Sequence, residues 1–201
     1  MANYNAIKYD GFSKGSTTLI KTLTADGSAG TLTFQDGSSD VVLDNTYKEY
    51  LFIFNNLHPS ADGPQFSFQA NASGGSGYNE TITSTAFYSY MKEDDTDTTL
   101  SYRTQADQAD GTSFQQLTIY GPGNGNDSSI AGYLHLYDPS NTTFVKQFTS
   151  RVINEYDSSA AYTVDAYVAG WFNTTSAIDE IQFKLASGNF DAGTIQLIGI
   201  T

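Results

Sequence analysis

Cysteine is absent from the 201 residues, which rules out disulfide staples, thiolate metal sites and cysteine nucleophiles. Basic residues are few: 9 Lys and Arg stand against 22 Asp and Glu, for a formal net charge of −13. Phosphate recognition needs clustered Lys and Arg, so this balance argues against nucleic-acid binding, and the acidity implies solubility and self-repulsion. No stretch is long and apolar enough for a membrane span, and none has the basic-then-apolar layout of a signal peptide. The expectation is a chain made in the cytoplasm, without membrane insertion. There are only two histidines, one tryptophan and four prolines.

What the chain does have is aromatic rings, 14 Tyr and 13 Phe, with Ser, Thr, Asn, Gln and Gly between them. β-Branched and aromatic residues suit a pleated surface, while Asn, Asp and Gly suit tight turns. The alternation bears this out. Ile181, Phe183 and Leu185 alternate with Gln182 and Lys184; Ser187-Gly188-Asn189 breaks the pattern, and residues 194–200 form a second apolar strand. Residues 47–54 are the most apolar run, with large side chains on both faces, which places them centrally: one face on the core, the other under a loop or a neighbouring subunit. Residues 65–69 alternate strictly, phenylalanines in and amides out, and residues 130–137 put Leu134 and Leu136 opposite Tyr133, His135 and Tyr137. Val41 to Leu43 reads as a short edge strand. Roughly ten to twelve such strands, divided by regular turn signals, predict an all-β, jelly-roll-like antiparallel β-sandwich.

Residues 1–25 stand apart. They carry Lys8, Lys14 and Lys21 against Asp10 alone, and residues 1–15 have no periodicity, although 17–23 have strand character. The reading is an N-terminal extended arm over 1–25, for docking or oligomerisation, and a single sandwich domain over 26–201.

No cluster announces chemistry. The acidic loop Glu93-Asp94-Asp95-Thr96-Asp97 offers oxygens to Ca²⁺ but lacks the Gly and bidentate Glu of a calcium loop, so it reads as a solvated turn. His58 and His135 have no neighbouring Ser, Asp or second His in a triad or zinc pattern. The five glutamates are scattered, which disfavours the paired carboxylates of a polysaccharide-cleaving enzyme. Catalytic, cofactor and metal sites are therefore expected to be none. Asn-x-Ser/Thr matches at Asn71, Asn79, Asn126, Asn141 and Asn173 are what an Asn- and Thr-rich chain produces by chance. Trp171, among apolar neighbours, reads as a core residue. Tyr78, Tyr120 and Tyr156, beside Gly- or Asp-rich loops, are the candidates for stacking on a sugar.

Several stretches carry a family likeness: residues 47–59 (YKEYLFIFNNLHP), 66–70 with Gly74-Gly75-Ser76, 132–140 (GYLHLYDPS), 169–178 (AGWFNTTSAI), and the closing SGN with AGTIQLIGI. Across most of residues 45–201 the chain resembles virion structural proteins of tailed bacteriophages of marine bacteria, the cyanophage and pelagiphage type. The resemblance implies a non-enzymatic appendage on the virion surface: tail fibre, head fibre or capsid decoration. Its implied partners are other virion proteins and copies of itself, a trimer being favoured, together with a host-surface polysaccharide. Lys8, Lys14 and Lys21 would then anchor the acidic domain to the particle. The competing expectation is a carbohydrate-binding module of a polysaccharide-degrading protein.

Overall fold

A computed structural model of the chain describes residues 16–156 and 161–201. Among these, no residue is helical. The strands in chain order are β1 (Thr17–Thr24), β2 (Thr31–Gln35), β3 (Glu49–Pro59), β4 (Phe66–Ala72), β5 (Ile82–Lys92), β6 (Thr98–Tyr102), β7 (Gln115–Gln116), β8 (Ile130–Tyr137), β9 (Lys146–Tyr156), β10 (Tyr162–Phe172), β11 (Ile178–Leu185) and β12 (Phe190–Ile200). They form two antiparallel sheets: a large one ordered β1-β12-β3-β8-β9-β10-β5-β6 and a small one ordered β2-β11-β4-β7. The protein is an all-β sandwich.

Period-2 alternation decides which side chains meet between the sheets. Tyr50, Phe52 and Phe54 of β3 point inward and are buried, as are Leu134 and Leu136 of β8, Phe148 of β9 and Phe172 of β10. The small sheet answers with Phe34, Phe66, Phe68 and Phe183. Their rings meet edge to face, for example Phe54 on Phe66 at 4.9 Å and Phe68 on Phe148 at 5.0 Å, the arrangement that the ring quadrupole favours.

Four expectations are corrected. The segment at residues 17–24 is no arm: β1 is an edge strand laddered to β12, with Thr17 opposite Ile200 and Thr24 opposite Thr194. Lys21 therefore lies on the sheet, next to a register shift, while Lys8 and Lys14 lie outside the described residues. In β4 the amides do not face solvent, because every residue of the strand is buried. Gln69 Nε2 instead donates to the carbonyls of Glu80 and Ser113 at 3.0 and 3.1 Å, since loops fold over the outer side of the small sheet. Val41 and Leu43 are not in a strand, though both are buried. Trp171 is not in the core: Val168 and Phe172 of β10 point inward, so Trp171 points out and is 39% exposed. Its apolar neighbours in sequence misled; its position next to Phe172 sets its side.

The turn at Ser187-Gly188-Asn189 does not make a hairpin. It carries the chain from β11 in the small sheet to β12 in the large one. Gly188 has a φ of +71°, and a Cβ there would meet Ala61 Cβ and Ser60 Oγ at 2.8 Å, so the crossing needs glycine twice over. Of residues 47–54, those from Glu49 on do run through the interior of the large sheet, in β3. Their outward side chains Leu51 and Ile53 line, with Tyr133 and His135, a shallow depression of about 420 Å³.

Candidate functional site

The large sheet is longer than the small one that covers it. Where its inner face runs past that cover, the inward series change to tyrosine. Along β5 the inward residues end in Tyr88 and Tyr90, along β9 in Asn154 and Tyr156, and along β10 the series Val168, Ala166, Val164 starts from Tyr162. A tyrosine buries its ring while its hydroxyl reaches water, which is what the end of a sandwich requires.

Tyr90, Tyr120, Tyr156 and Tyr162 close into a ring. Tyr120 lies 5.1 Å from Tyr156, Tyr156 6.0 Å from Tyr162, Tyr162 5.2 Å from Tyr90, and Tyr90 6.3 Å from Tyr120. They wall a cup of about 250 Å³ whose floor includes the buried Val164. Tyr120 comes from the loop after β7 and is held from several sides. Asn154 Nδ2 donates to its carbonyl at 3.0 Å, the Arg103 guanidinium sits 5.2 Å over its ring, and its hydroxyl is 3.5 Å from that of Tyr88. Tyr90 donates its hydroxyl to Asp97 at 3.1 Å.

The hydroxyls of Tyr120 and Tyr90 stay protonated. The Tyr88 contact, followed by burial, pushes Tyr120 up to about 12, and the hydrogen bond to Asp97 raises Tyr90. At neutral pH Tyr90 and Tyr120 thus present uncharged hydroxyls beside the Arg103 guanidinium. Asn154 Oδ1, buried next to it, has no hydrogen-bond partner among the described residues. A buried acceptor of this kind is usually met by water or a ligand hydroxyl.

Two of the three sugar-stacking candidates, Tyr120 and Tyr156, thus stand together. Tyr78 stands apart, with its ring 6.4 Å from Phe114, its φ at +49° and its amide donating to Asn71. Tyr90 and Tyr162 are not among the candidates that the sequence offered. The available signal was their position at strand ends beside loops, as tyrosines where the same strands use apolar residues further in.

The acidic loop is committed to internal contacts. Asp94 accepts from Thr96 and pairs with Lys92 at 2.8 Å, which holds its carboxyl at about 2, and Asp97 takes the Tyr90 hydroxyl. Among the described residues no three His, Asp or Glu side chains converge as metal ligands.

His58, for which the sequence offered no catalytic or metal partner, lies in β3 and is paired across the fold. Its Nε2 donates to the Gly125 carbonyl at 2.9 Å and its Nδ1 faces Asp191 Oδ1. Two acceptors on two ring nitrogens require both protons. Burial works against the charge, but the Asp191 and Gly125 contacts outweigh it and raise the folded pKa above 6.5. The stabilisation is therefore complete below the unfolded value and is lost as pH rises through the folded one. The stability gap between wild type and His58→Gln, measured by urea unfolding, should be wider at about pH 5.5 than at about pH 8.5. A gap independent of pH would mean that the pair contributes no charge.

A scan of the chain against protein-family models finds no match, and a search of curated proteins finds none either.

Proposed function

We propose that this protein is a non-enzymatic virion structural protein of a tailed bacteriophage of marine bacteria. It is a jelly-roll-like appendage (tail fibre, head fibre or capsid decoration) that touches a host-surface glycan through the tyrosine cup. The cup is the observation that carries the reading. Sugar C–H faces stack on aromatic rings, and the phenol hydroxyls with Arg103 and Asn154 Oδ1, which has no partner among the described residues, offer hydrogen bonds to sugar hydroxyls. A volume of about 250 Å³ is below that of pockets for drug-sized ligands and suits one sugar ring, at a chain end or branch.

Supporting the non-enzymatic part, three of the scattered glutamates take hydrogen bonds from the protein itself: Glu80 from the Ala72 amide, Glu155 from Ser128 and Glu180 from Asn71. The likeness to phage virion proteins supplies the rest.

Titration calorimetry of the purified chain with host-surface polysaccharide should show binding that weakens about tenfold in Tyr120→Ala and in Tyr156→Ala, with Tyr78→Ala unchanged. Equal affinities in all four proteins would remove the cup from the function, and release of oligosaccharide would make the protein an enzyme. Quantitative mass spectrometry of gradient-purified virions tests the location. Near-equal copies with the major capsid protein indicate decoration, and a handful in multiples of three or six indicate the tail. Absence from the particle, with glycan binding intact, would leave a carbohydrate-binding module.

A further inference from the structure

The large sheet has a second face, turned away from the core, and its composition is unusual for a surface. Among the described residues every exposed large apolar side chain except Phe144 lies on it. Tyr133 stands on β8, Ile153 on β9, Trp171 on β10, Phe87 on β5 and Leu100 on β6, the last 75% exposed. The ladder registers set them side by side. One row runs Ile53, Tyr133, Arg151, Tyr167, Phe87, Tyr102 across six strands, and the Phe87 and Tyr167 rings stack at 4.8 Å and 4°. Apolar patches on soluble monomers seldom exceed a few hundred Å².

We propose that this face receives a second copy of the chain, related by a two-fold axis. Two observations favour a copy over another occupant. The first is area. Eight strands spaced about 4.8 Å apart, most of them 11 residues long at about 3.3 Å per residue, present a face on the order of 1,000 Å². A stable pair needs about 800 Å² from each partner, so the face suffices by itself.

The second is charge. The whole chain carries −13, and a basic partner would seek its acidic surface. The middle of this face has no net charge to offer. Arg151 and Asp165 neutralise each other through Nε–Oδ1 and Nη2–Oδ2 contacts of 3.0 and 2.7 Å, with the guanidinium 5.1 Å over the Tyr167 ring. Two copies of net charge −13 repel on approach, and contact through this face adds no local like-charge pair at its middle. In an isologous contact each apolar row lies against the same row of the other copy.

Trp171 is the only tryptophan of the chain, and it lies on this face. It therefore reports burial without a label. Light scattering of the full chain over a dilution series should give twice the monomer mass when concentrated and the monomer mass when dilute. Trp171 emission should shift to the red in step. Ile153→Lys places two unpaired charges in one symmetric interface and should weaken association more than about a hundredfold, with circular dichroism unchanged. Should that variant fail to fold, Leu100→Glu, on a side chain 75% exposed, gives the same readout. A monomer at every concentration would overturn the proposal and leave the face to a different partner. So would a trimer mass, or a dimer whose Trp171 emission ignores dilution and whose mass survives both substitutions.

Discussion

Phe183→Ala is expected to lower stability by about 3–5 kcal/mol and the melting temperature by about 6–20 °C. Phe183 is fully buried on β11, and the centroids of Phe34, Phe52, Phe54, Phe66 and Phe68 lie between 5.2 and 6.3 Å from its own. Two of those rings belong to the large sheet and three to the small one, so this side chain is where the layers are joined. Removing it forfeits the transfer free energy of the ring and leaves a cavity. The surrounding rings cannot close it, because each is already fixed by a second partner: Phe54 by Phe66, Phe68 by Phe148, Phe34 by Phe52. Phe144→Ala is the control. Phe144 is 68% exposed in a loop, and its loss should change stability by less than about 0.5 kcal/mol. Thermal unfolding of the three proteins decides. A Phe183→Ala loss no larger than that of Phe144→Ala would mean that the ring cluster does not hold the sheets together.

The alternation that placed Phe183 inward is the part of the fold that a sequence shows most directly. Period 2 assigns each side chain to a face, and it did so correctly for Phe183, Leu134 and Phe68. It says nothing of which strand lies beside which. That Thr17 pairs with Ile200 is a contact between opposite ends of the chain, settled by which edges remain free once the other strands are placed, and no local pattern records it. For the same reason residues 181–185 and 194–200 look like neighbours in one sheet and belong to two. β4 shows a further limit. Its alternation of Phe with polar residues is real, yet the polar side is buried as well, because loops from elsewhere satisfy Gln69.

The cup was half legible. Tyr120 and Tyr156 were visible as tyrosines beside turn-rich loops. Tyr90 and Tyr162 were not, because convergence needs the β5–β10 and β9–β10 registers, which set Tyr162 opposite both Lys92 and Tyr156. Trp171 was misplaced by judging its neighbours rather than its parity. Alternation from Phe172 sends it outward, to the face on which self-association is proposed.

Lys146 gave no sequence signal at all, and it leads to the other large expected effect. It opens β9 as an inward residue and is fully buried, although a lysine at a strand end ordinarily reads as solvated. Its Nζ donates to the Phe144 carbonyl at 2.8 Å and the Thr174 carbonyl at 3.3 Å, tying the loop before β9 to the one after β10. Lys146→Ala leaves both carbonyls unpaired and opens a cavity, for an expected loss of about 2–4 kcal/mol. Lys146→Met refills the space without restoring a donor and should lose about 1 kcal/mol less. The charge itself works against the fold: burial lowers the folded pKa below 10.5, only partly offset by Asp138. Between the folded and unfolded values the unfolded chain holds the extra proton, so wild-type stability gains with rising pH across that window. Lys146→Met has no such group, and its deficit against wild type should widen as pH is raised toward 10.5, read by urea unfolding at neutral and alkaline pH. A deficit that stays constant would show that Lys146 titrates as it does in water, and that its burial exerts no electrostatic strain on the fold.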